Sequence, residues 1–231
     1  MNKDIRLNAK HFSRRKKYYR IAKLLLIVII LILTIIYFVV SFVYNGYFFT
    51  ITLDKNLYLD NNIVIYDNVN YKVYRGNIQV ESLDFYDNIS EKWLPDDIDS
   101  IDGSHNGEDY LAYTFYIENM GDDSVNYYYE LTIDDVIKNL DEAVRFRIYE
   151  NGKSITYAKK SRATGKAEIN TLPFKNDKTV VLKKVANFEP GQINKYTVVM
   201  WLEGDGLECT SEILGGELKV HLDFKSYRSE V

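Results

Sequence analysis

The sequence predicts a mainly β protein, in which an N-terminal transmembrane helix precedes an antiparallel β-sandwich of Ig-like or jelly-roll-like type with one short helix. Three observations lead to this fold class. An uncharged apolar run of 21 residues follows a basic N-terminus. Beyond it, short runs rich in Val, Ile and Tyr alternate with turn residues. The 231 residues include 20 Tyr and are 14% aromatic, a composition that favours strands over helices.

The apolar run extends from Leu24 to Tyr44 and contains no charged side chain. At a rise of about 1.5 Å per residue it is about 31 Å long, which matches the hydrocarbon thickness of a bilayer, about 30 Å. We therefore expect an uncleaved signal anchor. A cleaved signal peptide is the alternative, with cleavage near Ser41, although the apolar region of such a peptide is normally shorter. In both cases the chain from about residue 45 onward lies outside the membrane.

The basic flank predicts the orientation of this span. Residues 1–23 contain nine Lys or Arg and a single acidic residue, Asp4. Lys and Arg collect on the cytoplasmic side of a span, so we expect a basic cytoplasmic tail over 1–23, the anchor over 24–44 and an extracytoplasmic domain over 45–231. The basic cluster is expected to contact anionic lipid heads, and no nucleic acid. The residues on which this topology rests are Arg14, Arg15, Lys16, Lys17, Leu24 and Tyr44.

About ten short strands are expected in the outer domain, with turns about every 8 to 12 residues. They cover residues 48–53, 62–66, 71–80, 110–118, 126–133, 145–150, 153–158, 179–185, 195–202 and 217–224. Asn151 and Gly152 separate two of these strands and favour a type I′ hairpin turn, because both positions must accept a positive φ. Residues 134–144 are predicted to be helical, since apolar residues recur there every four positions.

Two segments are expected to be loops that cover one end of the sandwich. Residues 88–109 are acidic, and residues 159–178 are basic at their start. Such loops often bind partners, and an insertion without a role is the alternative. In the acidic loop, Asp97, Asp99 and Asp102 are candidate ligands of a structural calcium ion, because hard cations bind several carboxylate oxygens. A solvated acidic loop is the alternative, since the EF-hand spacing is not met.

Residues that carry enzyme chemistry are scarce. Cys209 is the single cysteine, has no His close to it in the sequence, and is expected to be a buried, unreactive thiol. The sequence contains no Gly-x-Ser-x-Gly elbow, phosphate loop or dinucleotide fingerprint. We therefore expect no enzyme, no catalytic residue and no cofactor beyond the candidate calcium. In the run Tyr127, Tyr128 and Tyr129, strand alternation places two of the three rings on the core face.

Three segments resemble a known family. They read GEDYLAYTFYIEN at 107–119, LDEAVRFRIYENG at 140–152 and WLEG…C…GG at 201–216. They are similar to exported TasA/camelysin-like biofilm-matrix proteins of low-GC Gram-positive bacteria, over about residues 46–225. The resemblance implies a jelly-roll-like sandwich, secretion and fibre formation by strand exchange. That family is normally released by a signal peptidase, whereas this chain is expected to stay anchored, and its motifs supply no catalytic set here.

The function expected from these features is interaction or assembly at the cell envelope or extracellular matrix, by a single-pass protein anchored in the cell membrane. The expected partners are the lipid bilayer and other envelope or matrix proteins, including further copies of this chain. A ligand-sensing or accessory ectodomain of a membrane complex is the alternative, and a secreted or surface hydrolase comes third. Thr50 and Thr52 mark the first strand, which is uncharged, as a candidate for strand exchange, and pairing within its own sandwich is the alternative.

Overall fold

The computed structural model describes residues 2–44, 48–80, 87–206 and 208–226, with side chains described for 17–40 and from residue 48 onward within those ranges. The chain divides into two compact units, 1–46 and 47–231. Each unit has its own architecture, and the second contains the hydrophobic core.

The first unit is a single helix, α1, over Asn2–Tyr44. Its stretch Lys17–Val40 is long and apolar enough to span a membrane, and none of this stretch is buried within the protein. The hydroxyl of Thr34 donates to the carbonyl of Ile30 at 2.8 Å, so this polar group does not interrupt the apolar stretch. The basic residues of 2–23 continue the same helix. The side chains of Arg14, Arg15, Lys16 and Tyr44 lie outside the described part of the chain.

Within the described residues, the second unit contains twelve strands and a short helix, α2, over Lys55–Asn61. The strands are β1 (Phe49–Leu53), β2 (Ile63–Tyr66), β3 (Asn77–Val80), β4 (Gly103–Ser104), β5 (Tyr110–Asn119), β6 (Val125–Val136), β7 (Val144–Glu150), β8 (Lys153–Ala158), β9 (Leu172–Pro173), β10 (Thr179–Phe188), β11 (Ile193–Leu202) and β12 (Leu218–Ser226). The mainly β fold expected from the sequence is confirmed.

The strands form two sheets. The five-stranded sheet has the order β10-β6-β12-β1-β3, and the seven-stranded sheet has the order β2-β5-β11-β7-β8-β9, with β4 paired to β5. Most pairs are antiparallel, but β1 runs parallel to β12 and β8 runs parallel to β9. The first strand therefore lies inside its sheet, between β12 and β3, and the edge strands of that sheet are β10 and β3.

The core lies between the two sheets, and its largest buried side chains are aromatic rings. Phe224 of β12 is fully buried and contacts Phe115 of the facing sheet, with ring centroids 5.7 Å apart. Tyr129 and Tyr196 face each other across the same interior at 5.4 Å. Inward and outward residues alternate along β12, as expected for a strand with one face in the core. Burial of a ring such as Phe224 contributes about 3 kcal/mol.

The acidic segment 88–109 covers a face of the sandwich, not an end. Ile89, Leu94 and Ile98 pack on Val199 and Trp201, on the outer side of the seven-stranded sheet. The prediction that this segment covers an end of the sandwich is therefore wrong. The outer side of this sheet also carries apolar side chains, which need a cover.

Two local predictions differ from the structure. The prediction of a helix over 134–144 is wrong. The strand β6 extends into this segment as far as Val136, and a single 3-10 turn, Leu140–Glu142, follows it. Lys138 and Asn139 both have positive φ, 58° and 54°, which a right-handed helix does not allow. Only Asn77–Val80 of the strand predicted over 71–80 forms a strand.

The hairpin turn at Asn151 and Gly152 is confirmed. Their φ angles are 51° and 81°, as a type I′ turn requires at its two central positions. The pair joins β7 to β8, whose residues Glu150 and Lys153 face each other across the turn.

Candidate functional site

An open groove lies on the outer face of the five-stranded sheet, which is the face turned away from the core. Its volume is about 700 Å³. This is within the size range of ligand sites, but the groove is open to solvent and does not enclose its contents. It is lined by Asp54, Asn56, Tyr128, Glu130, Leu182, Lys184, Lys225 and Ser226.

Three neighbouring strands form the floor of the groove. The register of the sheet places Tyr128 of β6 between Lys184 of β10 and Lys225 of β12. In the next row, Glu130 of β6 lies opposite Leu182 of β10. An aromatic ring, an aliphatic side chain, two amines and a carboxylate thus share a surface three strands wide, about 10 Å across.

The start of α2 forms one wall of the groove. Asp54 caps this helix, since its carboxylate accepts a hydrogen bond from the backbone N–H of Asn56 at 3.1 Å. The backbone N–H of Asp54 donates to the carbonyl of Phe224 at 2.9 Å, which ties the helix start to β12. The wall is therefore held by both the cap and the sheet.

Ion pairs hold several charged side chains of this face in place. The amine of Lys225 lies 3.0 Å from Asp223 Oδ2 and 3.4 Å from Glu130 Oε2. Burial by itself would lower the pKa of Lys225, but hydrogen bonds and charge attraction from Asp223 and Glu130 outweigh it and raise this pKa. The amine is therefore a permanent cation at neutral pH. Further along β12, His221 Nδ1 lies 2.6 Å from Asp134 Oδ1.

Thr50 and Thr52, the predicted strand-exchange residues, lie on this same outer face and are half-buried. Thr52 is in register with Asp223 of β12. The opposite side of β1 is buried in the core at Phe49 and Ile51, and the strand pairs on both edges. The structure thus has the alternative arrangement, in which this strand pairs within its own sandwich.

The candidate calcium ligands have other partners. Asp99 Oδ1 accepts a hydrogen bond from Thr197 at 2.6 Å and lies 3.1 Å from the amine of Lys195. Asp102 accepts hydrogen bonds from the hydroxyl of Tyr116 and the backbone N–H of Val69. Across the described residues, no group of three or more His, Cys, Asp or Glu side chains is arranged to hold a metal ion. The carboxylates of Asp99 and Asp102 instead hold the acidic segment on the sheet, and Asp97 lies at the start of the 3-10 helix Ile98–Ser100.

His105 and Cys209 occupy structural environments. The two ring nitrogens of His105 lie 2.9 Å and 2.8 Å from the carbonyl oxygens of Gly103 and Ile98, so the ring joins two parts of the acidic segment. Cys209 is half-buried, and this burial raises the pKa of its thiol, with Arg145 opposing the effect. A raised pKa disfavours the reactive thiolate.

Sequence reasoning located one groove residue and missed the others. Alternation in the tyrosine run correctly assigns Tyr127 and Tyr129 to the core and leaves Tyr128 outside. Leu182, Lys184 and Lys225 come from two other strands, and nothing in their local sequence indicates that β10, β6 and β12 are neighbours. The helix cap at Asp54 could have been predicted from the sequence, because Asp commonly precedes a helix.

Comparisons with known proteins give few matches to this chain. No family model matches it, and no curated protein matches it. Two solved structures of a β-glucosidase from Kluyveromyces marxianus, one in complex with glucose and one selenomethionine-labelled, align with it at 10% identity and TM-scores of 0.27 and 0.26. Each alignment covers 73% of this chain and 16% of the glucosidase chain, so this chain spans about a sixth of that length. The resemblance to TasA/camelysin-like proteins stays a prediction.

Proposed function

We propose that this protein is a membrane-anchored β-sandwich that binds a polypeptide segment of another envelope protein in the groove of its five-stranded sheet. The groove around Tyr128 is the observation that carries the proposal. The proposal places the N-terminus in the cytoplasm and the sandwich outside.

The anchor is supported by the exposed apolar helix. Side chains from Leu24 to Val40 are all exposed on α1, and an apolar surface of this extent requires an apolar environment. The nine basic residues before it favour retention of the N-terminus in the cytoplasm. Removal of this helix by cleavage near Ser41 is the alternative.

A polypeptide fits the chemistry of the groove. An extended chain presents both N–H donors and C=O acceptors, and the groove offers amines from Lys184 and Lys225 beside carboxylates from Asp54 and Glu130. Tyr128 and Leu182 supply apolar contact, and tyrosine is enriched where proteins bind each other. An open floor three strands wide suits a segment of chain better than a small molecule, which usually binds in a more enclosed site.

Photocrosslinking on intact cells tests this proposal. The full chain carries a photoreactive benzoylphenylalanine in place of Tyr128, or in place of Tyr71 as the control. Tyr71 is an exposed tyrosine that follows β2 of the other sheet, whereas Tyr128 is half-buried in the groove floor. We expect a discrete protein adduct from position 128 and none from position 71.

A further variant makes the test specific to the groove. Leu182→Asp places a charge on its apolar floor and should remove the adduct without unfolding the domain, since Leu182 is exposed. Mass spectrometry should identify the adduct as a protein with an extracytoplasmic segment, or as a second copy of this chain. An adduct that persists in Leu182→Asp, or equal adducts from both positions, would contradict the proposal.

A further inference from the structure

We infer that the end of the sandwich at which β1 begins is a lipid-contacting surface, which inserts exposed aliphatic side chains into the headgroup region of the bilayer. This inference rests on the proposed membrane anchor and adds a second contact to it. The surface, called here the entry end, is formed by the loops 137–143, 159–171 and 211–217.

The strand register shows that these loops share one end of the sandwich. Phe49, the first residue of β1, is in register with Val220 near the start of β12. Leu218, the first residue of β12, is in register with Val136, the last residue of β6. The loop that follows β6 and the loop that precedes β12 are therefore neighbours, and the N–H of Ile137 donates to the carbonyl of Glu217 at 2.8 Å.

Ion pairs attach the third loop to the same end. Arg162 Nε lies 2.5 Å from Glu142 Oε1, and the amine of Lys159 lies 2.5 Å from Asp141 Oδ2. Both acidic partners belong to the loop after β6. The three loops thus form one continuous surface.

Two turns on this surface hold aliphatic side chains in solvent. Leu214 has φ −57° and ψ 125° and is followed by Gly215 at φ 70°, which is the geometry of a type II turn. Its side chain is 68% exposed. Ile169 precedes Asn170, which has φ 63°, in a turn closed by the N–H of Thr171 on the carbonyl of Glu168, and Ile169 is 86% exposed.

Both turns are anchored at their bases. A Cβ on Gly216 would come within 2.9 Å of the carbonyl oxygens of Ile137 and Ile213, so the loop around Leu214 is tightly packed. Glu168 forms an ion pair of 2.5 Å with Arg145, which is buried. The exposed aliphatic side chains are therefore displayed by fixed turns.

The covalent chain limits how far the start of β1 can lie from the end of α1. Four residues, 45–48, separate Tyr44, the last residue of α1, from Phe49, so these two residues are five steps apart along the chain. Five steps reach at most about 17 Å even when the chain is fully extended. The point where β1 begins therefore cannot lie further than this from the end of α1, the helix that the proposed anchor places in the bilayer.

The charged residues of the entry end suit a phospholipid surface. Lys160, Arg162 and Lys166 are exposed on the loop 159–171, where such side chains reach phosphate groups while their stems contact apolar groups. Glu212 and Glu217 are exposed there too. With both signs of charge present, contact depends mainly on the aliphatic side chains and only weakly on anionic lipid.

Nitroxide quenching in vesicles tests the inference with the full chain. In a Cys209→Ser background, single cysteines replace Leu214, Ile169, Leu59 or Leu31, and each carries an environment-sensitive fluorophore. Leu59 is the matched control, because it is 71% exposed and lies on α2, which follows the other end of β1. Leu31 lies within the apolar stretch of α1 and reports the anchor.

Vesicles of phosphatidylcholine contain lipids labelled with nitroxide either at the headgroup or deep in the acyl chain. We expect headgroup nitroxide to quench positions 214 and 169 roughly twofold or more above position 59, since apolar residues of interfacial segments lie at the headgroup boundary. Position 31 should be quenched by the deep nitroxide.

The outcomes separate this inference from the anchor itself. Quenching at 31 with equal, low quenching at 214, 169 and 59 would overturn the lipid-contacting end and leave the anchor intact. An unquenched position 31 would overturn the anchor and this inference with it. A variant that unfolds is recognised by its unfolding midpoint, and the other exposed turn position then decides the result.

Discussion

Tyr127 shows, at the scale of one residue, how a buried hydroxyl holds the interior together. Its oxygen lies 2.7 Å from the hydroxyl of Tyr196 and accepts a hydrogen bond of 2.8 Å from Asn194 Nδ2. Tyr127→Phe leaves both buried partners unsatisfied, so we expect the free energy of unfolding to fall by about 1–3 kcal/mol. The control is Tyr128→Phe, because the ring of Tyr128 faces outward. In this variant the free energy of unfolding should change by no more than about 0.5 kcal/mol. Equal losses in urea denaturation would contradict this account.

The β7–β8 hairpin allows a prediction at the scale of an element. Gly152 has φ 81°, and a Cβ there would meet no atom within 4 Å. Gly152→Val should therefore destabilise the domain through its backbone conformation and not through a clash. We expect the free energy of unfolding to fall by about 1–2 kcal/mol. Gly76→Val is the control, because its site is equally open but has no positive φ. Thermal unfolding midpoints should drop for Gly152→Val alone, and a similar drop in both variants would argue against the turn.

Elements differ in how much of them the sequence could predict, and the reason is the range of the interactions involved. The strands β7 and β8 and their turn depend on neighbours in the chain, so alternation and one Asn-Gly pair were sufficient. The position of β1 depends on β12, which lies about 170 residues further along the chain, and its parallel pairing could not be read locally. The false helix arose because residues 136, 140 and 144 have helical spacing, although two left-handed residues lie between them. The groove was missed for the same reason as the β1–β12 pairing, since its floor is assembled from three separate strands.

The tyrosine content of the chain has a consequence for the whole molecule at high pH. Burial raises the pKa of Tyr66 to about 12, with Glu118 adding to the effect and Lys72 opposing it. Burial also raises the pKa of Tyr127 to about 12, although its hydrogen bonds with Tyr196 and Asn194 oppose the rise, and burial raises the pKa of Tyr129 and of Tyr196 further. In the unfolded chain these groups titrate near a pKa of about 10. The folded state therefore retains protons that the unfolded state has lost. The contribution of these tyrosines to the free energy of unfolding is fully present below about pH 10 and is lost as the pH rises through about 12.

We accordingly expect the free energy of unfolding, measured by urea denaturation at a series of pH values, to be flat between about pH 8 and 9 and to fall steeply above about pH 10. Tyrosinate absorbance should show the buried tyrosines ionising only as the fold is lost. Tyr127→Phe removes one of the shifted groups and should make the fall with pH shallower, which separates this effect from the general loss of lysine charge in the same range. Ionisation of all tyrosines near pH 10 in a protein that remains folded would mean that the rings of the two facing sheets are not packed against each other as the structure has them.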